Sequence, residues 1–306
     1  MYSIPVFSFF MRIVVTGGAG FIGSHLCEKL IDLSHEVICV DNFISGSDKN
    51  IKKLRQNPLF HLINHDICLP FTKDIGKIDQ IYHLASPASP MDFKEIPLQT
   101  LWTNASGTKN MLELACKKIV PFLLVSDIAI ESGIDHLEIA GGYTESKRFA
   151  ETLAINYYRH FRFPLKIARI SNAYGPGMRK HVGNIIADFI QEAIMNEPLR
   201  IQENGLQTHD FCYVDDIVEG LILLMNNNEF LGPVDFVGSE MVSFAELAKK
   251  IVEITRSSSM ISQTQSSETK SPNMFPVIYP VSQKLGFKPK ISLDEGLKKT
   301  IEYFYE

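Results

Sequence analysis

Cysteine is scarce in this 306-residue chain: Cys27, Cys39, Cys68, Cys116 and Cys212 form an odd set of five with no Cys-x-x-Cys spacing. This excludes a disulfide-stapled miniprotein and a paired-thiol zinc site. Four of the five fall in apolar or helical stretches, where a free thiol acts as a small buried hydrophobe. Their scarcity fits a reducing, cytoplasmic setting. Basic charge is short as well. Lys+Arg number 30 against 35 Asp+Glu, a formal net charge of −5, and the longest basic runs are pairs such as Lys52-Lys53 and Lys117-Lys118. Nucleic-acid affinity needs clustered basic charge, so no nucleic-acid partner is expected. The apolar first ten residues, MYSIPVFSFF, are too short to span a bilayer and lack the basic start of a signal peptide. They read as an extension ahead of a fold that begins near Met11, and no membrane partner is expected. No metal site is readable: His61 and His65 stand four apart in a strand-to-loop stretch, and His35, His83, His136 and His160 are isolated. There is no internal repeat.

What is present is ordinary globular composition, 45% hydrophobic and 21% charged, long enough for one large or two intimate domains. Six short runs read as strands that are apolar on both faces: RIVVT (12–16), EVICV (36–40), LFHLI (59–63), DQIYHLA (79–85), PFLLVS (121–126) and LKIARI (165–170). Helical stretches lie between them at 23–33, with Leu26, Leu30 and Leu33 on one face, near 98–118, and near 144–161. This alternation predicts an α/β fold, a Rossmann-type doubly wound parallel sheet. After the turn Tyr174-Gly175-Pro176-Gly177 the texture changes, with a helix near 184–196, a strand at 199–202 and a helix near 215–226. The polar stretch 257–272 reads as a mobile loop. The C-terminal part has too little regular structure for a large core of its own. The expected organisation is an extension (1–10), a dinucleotide-binding domain (11–173) and a smaller substrate-binding lobe (174–306), with room to return strands or helices to the main sheet. That lobe would close a cleft over the strand ends, where open α/β sheets bind ligands.

The first strand runs into Thr16-Gly17-Gly18-Ala19-Gly20-Phe21-Ile22-Gly23 and then a helix. Both G-x-G-x-x-G (from Gly18) and G-x-x-G-x-x-G (from Gly17) fit. Glycine lets the backbone approach a pyrophosphate, and a helix N-terminus supplies free N–H donors and positive dipole. Asp41 closes the second strand eighteen residues past Gly23, the position of a ribose-binding carboxylate. Its charge would repel a 2′-phosphate and no Arg follows, which favours NAD. Candidate cofactor contacts are therefore Gly17, Gly20, Phe21, Ile22 and Gly23, then Asp41 and Asn42, then Asp66 and Ile67 after the third strand. Asp66 reads equally well as a loop-capping carboxylate.

Tyr143 and Lys147 form a Tyr-x-x-x-Lys spacing at a helix start, so both side chains lie on one face. A phenol is a poor base at neutral pH. A neighbouring ammonium and a cationic nicotinamide are expected to lower its pKa and make it a base for a sugar or alcohol hydroxyl.

Taken together these residues resemble the extended short-chain dehydrogenase/reductase family, the NAD-dependent epimerases and dehydratases, over nearly the whole chain from Met11. The segments VTGGAGFIGSHLCEKL, HEVICVDNFISG, DQIYHLASPASP, TNASGTKNMLELA, YTESKRFAETL, ARISNAYGPGM and QTHDFCYVDDIVEGL carry the likeness, and they are most similar to the UDP-glucuronate decarboxylase subgroup. The resemblance implies a nucleotide-sugar substrate oxidised at C4. It makes Tyr143 the base and Lys147 its electrostatic partner and a nicotinamide-ribose ligand. It puts Ala85, Ser86 and Pro87 around the nicotinamide, Arg169 near the cofactor and Asn172 at the substrate diphosphate. It also implies a homodimer through a four-helix bundle of 98–118 and 144–161.

The chain departs from the family's pattern at several points. Where the family has Ser-Thr-Ser/Asp-Glu, with the Thr bonding the reacting hydroxyl, this chain reads Ser126-Asp127-Ile128-Ala129. Asp127 stands at the Thr and Ala129 at the Glu, and Ser126 is an alternative for the Thr role. The segment from Glu131 to Tyr143 is shorter than the subgroup's. An Arg of the phosphate end is His209 here, and Phe275 stands for another. Arg179, Arg200, Lys180, His181, His209 and Lys270 are the residues left to serve a diphosphate, which favours paired donors. The alternatives to decarboxylation are a 4-epimerase, a 4-dehydrogenase, or an NAD-binding sensor without turnover. A 4,6-dehydratase fits less well, because Ile128 and Ala129 stand where that chemistry places an acid and a base.

Overall fold

Runs of branched residues with no polar side can only be satisfied between two covering layers. The computed structural model, which describes residues 10–131, 135–202, 205, 207–228, 232–264 and 280–306, builds such a sandwich. In chain order its strands are β1 (Arg12–Thr16), β2 (Glu36–Asp41), β3 (Phe60–Asn64), β4 (Gln80–His83), β5 (Phe122–Asp127), β6 (Leu165–Ile170), β7 (Asn172–Tyr174), β8 (Leu199–Gln202), β9 (Thr208–Tyr213), β10 (Pro233–Phe236), β11 (Met241–Ser243) and β12 (Ile261–Thr264). Seven of them form one parallel sheet in the order β10-β6-β5-β4-β1-β2-β3.

The strands split residue by residue between two cores. Ile13, Val15, Val37 and Cys39 face one layer, with Leu26 and Leu30 of the helix Phe21–Asp32 and Leu221 of the helix Val214–Met225. Val14, Ile38 and Val40 face the other, with Met111 and Leu112 of the helix Thr108–Lys118 and Ala150 and Ala154 of the helix Ile139–Phe161. This period of two is the pleat itself. The strand order reverses between β1 and β4, and their carboxyl ends open the crevice where ligands bind in such sheets.

Four expectations need correction. The helix near 98–118 is interrupted: Pro97–Trp102 and Thr108–Lys118 are joined by a wide π-type turn at Thr103–Gly107. The stretch 257–272 is not all loop, because β12 pairs in parallel with β8. The C-terminal half has a core of its own, in which Phe189, Ile190, Leu199, Tyr213, Leu247, Ile251, Leu297 and Phe304 are buried together. Its chain also returns to the main sheet through β10, which pairs with Ile167–Ile170 of β6. Finally, only Cys27, Cys39 and Cys212 are buried; Cys68 and Cys116 are partly exposed, and all five thiols are free. The expected extension lies outside the described residues up to residue 9, as do Lys270 and Phe275. Among the described residues no helix is long and apolar enough to cross a membrane. No group of three or more metal-ligating side chains occurs among them.

Candidate active site

A cleft of about 560 Å³ opens over the ends of β1, β2, β4 and β5. It draws together the glycine turn, the Tyr–Lys pair and the expected cofactor and substrate contacts, with the exception of Arg169. Lys180, His181 and Arg200 also stand outside its lining.

The glycine turn is set by backbone crowding. Gly17 sits at φ +71°, in the left-handed region, and its N–H donates to the Val40 carbonyl at 2.9 Å. A Cβ there would lie 2.7 Å from the Ala85 nitrogen. The Gly20 N–H donates to the Gly17 carbonyl at 3.0 Å, and a Cβ on Gly23 would collide with that same carbonyl. The working spacing is therefore Gly17-x-x-Gly20-x-x-Gly23. Gly18 meets a different neighbour, since its Cβ would strike the Cys39 sulfur. Gly20 is the N-cap of the helix Phe21–Asp32 and makes no side-chain cap bond, so first-turn N–H groups are left for an anion.

Asp41 is fixed on both oxygens. Oδ2 accepts from the Ala19 N–H at 2.9 Å and Oδ1 from the Phe43 N–H at 2.8 Å. Burial pushes its carboxyl up, and the backbone donors pull it back. Asn42 turns its own Oδ1 to the Ile44 N–H. Asp66 does both things expected of it: it lines the cleft, and its Oδ1 caps the Cys68 N–H at 2.9 Å. Glycines without room for a Cβ, a helix N-terminus and a buried carboxylate at the second strand end fit a dinucleotide.

The Tyr143 hydroxyl donates to Asp127 Oδ2 at 2.8 Å, and the other Asp127 oxygen accepts from the Ala129 N–H at 2.8 Å. Phe93 stacks on the Tyr143 ring with centroids 4.3 Å apart. Lys147 Nζ donates to the Val125 carbonyl at 3.0 Å and lies 5.8 Å from the Tyr143 ring centre. Burial lowers its pKa to about 8, against the pull of Asp127 and Glu151. Burial first, then the Asp127 carboxylate, raise Tyr143 well above an ordinary tyrosine. Asp127 is itself raised by burial, with Ala129, Tyr143 and Lys147 opposing. Beside the pair, the buried Ser126 Oγ faces no hydrogen-bond partner among the described residues.

At the far end of the cleft, Arg179 is held by Asp92, with Nη1 2.8 and 3.0 Å from its two oxygens. Asn172 gives its amide to the Asp210 carbonyl at 3.0 Å. His209 stacks on Phe244 at 4.4 Å, its Nε2 has no partner among the described residues, and burial pushes its pKa down against the pull of Asp210. Lys180 reaches the Phe304 carbonyl instead. Arg169 is the exception: its fork grips Glu151 at 2.9 and 2.8 Å and Glu131 at 2.8 Å, outside the cleft lining. Sequence reasoning missed Phe93, Phe244 and Asp92. Only Asp92 left a readable trace, because Ser89-Pro90-x-Asp92 forms a capping box.

Fold and cleft together define a dinucleotide-dependent enzyme with a Tyr–Lys pair. The chain belongs to the NAD dependent epimerase/dehydratase family, which residues 13–237 match. It is 39% identical over 96% of its length to UDP-glucuronic acid decarboxylase 3 of Arabidopsis thaliana, covering 89% of that protein. It is 38% identical, again over 96%, to UDP-glucuronic acid decarboxylase 1 of Xenopus tropicalis, covering 72% of it. Among solved structures it resembles the UDP-glucuronic acid 4-epimerase of Bacillus cereus in complex with UDP-glucuronic acid and NAD. That match has TM-score 0.84 and 27% identity, covering 96% of this chain and 99% of the other. The UDP-glucose 4-epimerase of Thermotoga maritima matches with TM-score 0.84 and 28% identity over the same shares.

Proposed function

We propose that this protein oxidises a nucleotide sugar at C4 with NAD, that UDP-glucuronate is the substrate and that decarboxylation is the outcome. The observation that carries the reading is one cleft holding Tyr143, Lys147 and the Gly17–Gly23 turn. Identity of 37–39% to UDP-glucuronic acid decarboxylases over 96% of the chain supports the substrate. NAD, held by the glycine turn and Asp41, supplies the acceptor for the C4 hydride. Tyr143 takes up the C4 hydroxyl proton, and Lys147 orders the ribose and the local field. Once C4 is a ketone, the C6 carboxylate is β to a carbonyl and leaves as carbon dioxide, the C5–C6 electron pair passing into a C4 enolate; C5 then takes a proton from water, and reduction of the C4 ketone completes the cycle. Ala85 and Ser86 border the nicotinamide and Pro87 the sugar. Asn172, Arg179 and His209, from the 174–306 lobe and its border, serve the diphosphate.

A second reading, a 4-epimerase or 4-dehydrogenase, draws on the charge of the cleft. Asp41, Asp66, Asp92 and Asp127 face it against Lys147 and Arg179, and Arg179 is already paired. Among the described residues this offers little to a uronate carboxylate.

The test incubates the purified protein with UDP-glucuronate and UDP-glucose and reads carbon dioxide and the nucleotide-sugar products. Decarboxylation yields carbon dioxide and a UDP-pentose, and Tyr143→Phe lowers its rate by about 10²–10⁴-fold. A product with all its carbons, either inverted at C4 or left as the 4-ketone, selects the second reading. Bound NAD with no product from either sugar would leave a cofactor-binding sensor.

A homodimer is part of the proposal. Leu98 and Trp102 on the helix Pro97–Trp102 and Phe149 on the helix Ile139–Phe161 are more than half exposed, an apolar stripe that suits a second copy. A cytoplasmic home is proposed on the free thiols.

A further inference from the structure

Among the described residues the Tyr143 hydroxyl has one hydrogen-bond partner, Asp127 Oδ2 at 2.8 Å, and no bond to Lys147, whose ammonium is anchored on the Val125 carbonyl. Asp127 is locked in turn by the Ala129 N–H on Oδ1. A phenol that donates to a carboxylate is not poised as a phenolate, because the two would be like charges at hydrogen-bond distance. The negative charge of the site therefore resides on Asp127, one bond removed from the reacting hydroxyl. We infer that Asp127 is the terminal proton acceptor of this site, with Tyr143 as the relay between it and the substrate.

The inference rests on the C4 oxidation proposed above. In the forward step the C4 hydroxyl proton passes to Tyr143 Oη while the phenol proton passes to Asp127 Oδ2. The C4–H bond breaks with its electron pair going to NAD, and C4 becomes a ketone. Reduction of the ketone returns both the hydride and the proton along the same route. The surroundings of Asp127 favour a carboxylate that can take the proton. From the helix Ile139–Phe161 it faces Tyr143 and Lys147, and from its own strand the neutral Ser126. On the adjoining strand Arg169 is turned to Glu151 and Glu131, and across the cleft Asp92 is neutralised by Arg179. Burial raises the Asp127 carboxyl, bringing it closer to a working proton acceptor.

Two variants of the full-length, NAD-loaded chain test this. Asp127→Asn keeps the shape and removes the ionisation; Asp127→Thr replaces the carboxylate with a hydroxyl. Both are expected to lose about a hundredfold in kcat with KM changed less than threefold, and their acid limb in kcat against pH moves to higher pH. The second readout needs no turnover. The tyrosinate absorbance of Tyr143, taken as the difference from Tyr143→Phe, appears at lower pH in both variants, because a like charge has been removed. Wild-type rate and acid limb in the variants, or an unchanged Tyr143 titration, would overturn the relay. If the wild type turns over no nucleotide sugar, the proposed function fails, and the titration alone still decides the Tyr143–Asp127 coupling. Should Asp127→Asn lose its fold, the rate and titration of Asp127→Thr decide the question in the same way.

Discussion

The residues of this cleft are specified by what crowds them more than by their own chemistry. Gly17 and Gly23 are fixed by a carbonyl and a strand end that leave no room for a Cβ. That much was legible, because glycine at those spacings after a strand has few other uses. Arg169 shows the converse. Nothing in ARISNAYGPGM reveals that two carboxylates from elsewhere, Glu131 and Glu151, converge on it. Glu151 is buried, and a buried carboxylate without its cation is costly. Arg169→Ala should therefore destabilise the fold by about 3 kcal/mol, read as a lower urea midpoint. NAD affinity of the folded protein should hold. A variant of unchanged stability that binds NAD weakly would return Arg169 to the cofactor. The Tyr143–Lys147 spacing was legible as a shared face, whereas the carboxylate that meets the phenol was not. That contact depends on Asp127, sixteen residues away, turning its Oδ2 to the ring hydroxyl.

At the scale of elements, the parallel strands announced themselves because apolar residues occupied both faces. What escaped was structure whose signal is polar or glycine-rich. The helix Ile139–Phe161 begins five residues before the expected start and runs through Gly141 and Gly142. Gly141 is there because a Cβ would lie 2.7 Å from the His136 Cα. The π-type turn at Thr103–Gly107 leaves no trace in residue spacing, yet it turns Asn104 to donate to Ser146 Oγ at 2.9 Å and brings Thr103 to the cleft. β12, with the sequence ISQT, has no apolar alternation and depends on β8 for its pairing. The helix Thr108–Lys118 ends in a left-handed Ile119, at φ 56° and ψ 53° and 80% exposed. A β-branched residue is poorly suited to that position, which glycine fills without steric cost. Ile119→Gly should raise stability by about 1 kcal/mol, because little burial is lost at so exposed a site. A thermal or urea midpoint that falls instead would mean the Ile119 side chain packs against something.

For the whole molecule the missing information is a surface. A sequence registers apolar residues but not which of them the fold leaves outside. Leu101 lies beside Gly142, so the helices Pro97–Trp102 and Ile139–Phe161 pack together here. Their outward side chains leave Leu98, Trp102 and Phe149 64%, 62% and 51% exposed. Trp102 is the chain's one tryptophan, so the proposed interface carries its own reporter. If a second copy covers the stripe, the indole is dry in the assembly and wet in the monomer. Dilution should then shift the tryptophan emission to the red along the same concentration curve that sedimentation gives for dimer dissociation. Trp102 itself cannot be changed without losing the reporter, so the complementary variant is Phe149→Glu, which places a charge within the proposed contact. It should sediment as a monomer with a red-shifted indole at concentrations where the parent chain is a dimer. A parent chain that stays monomeric, with emission already that of exposed tryptophan, would leave this stripe to some other use and remove the homodimer from the proposal.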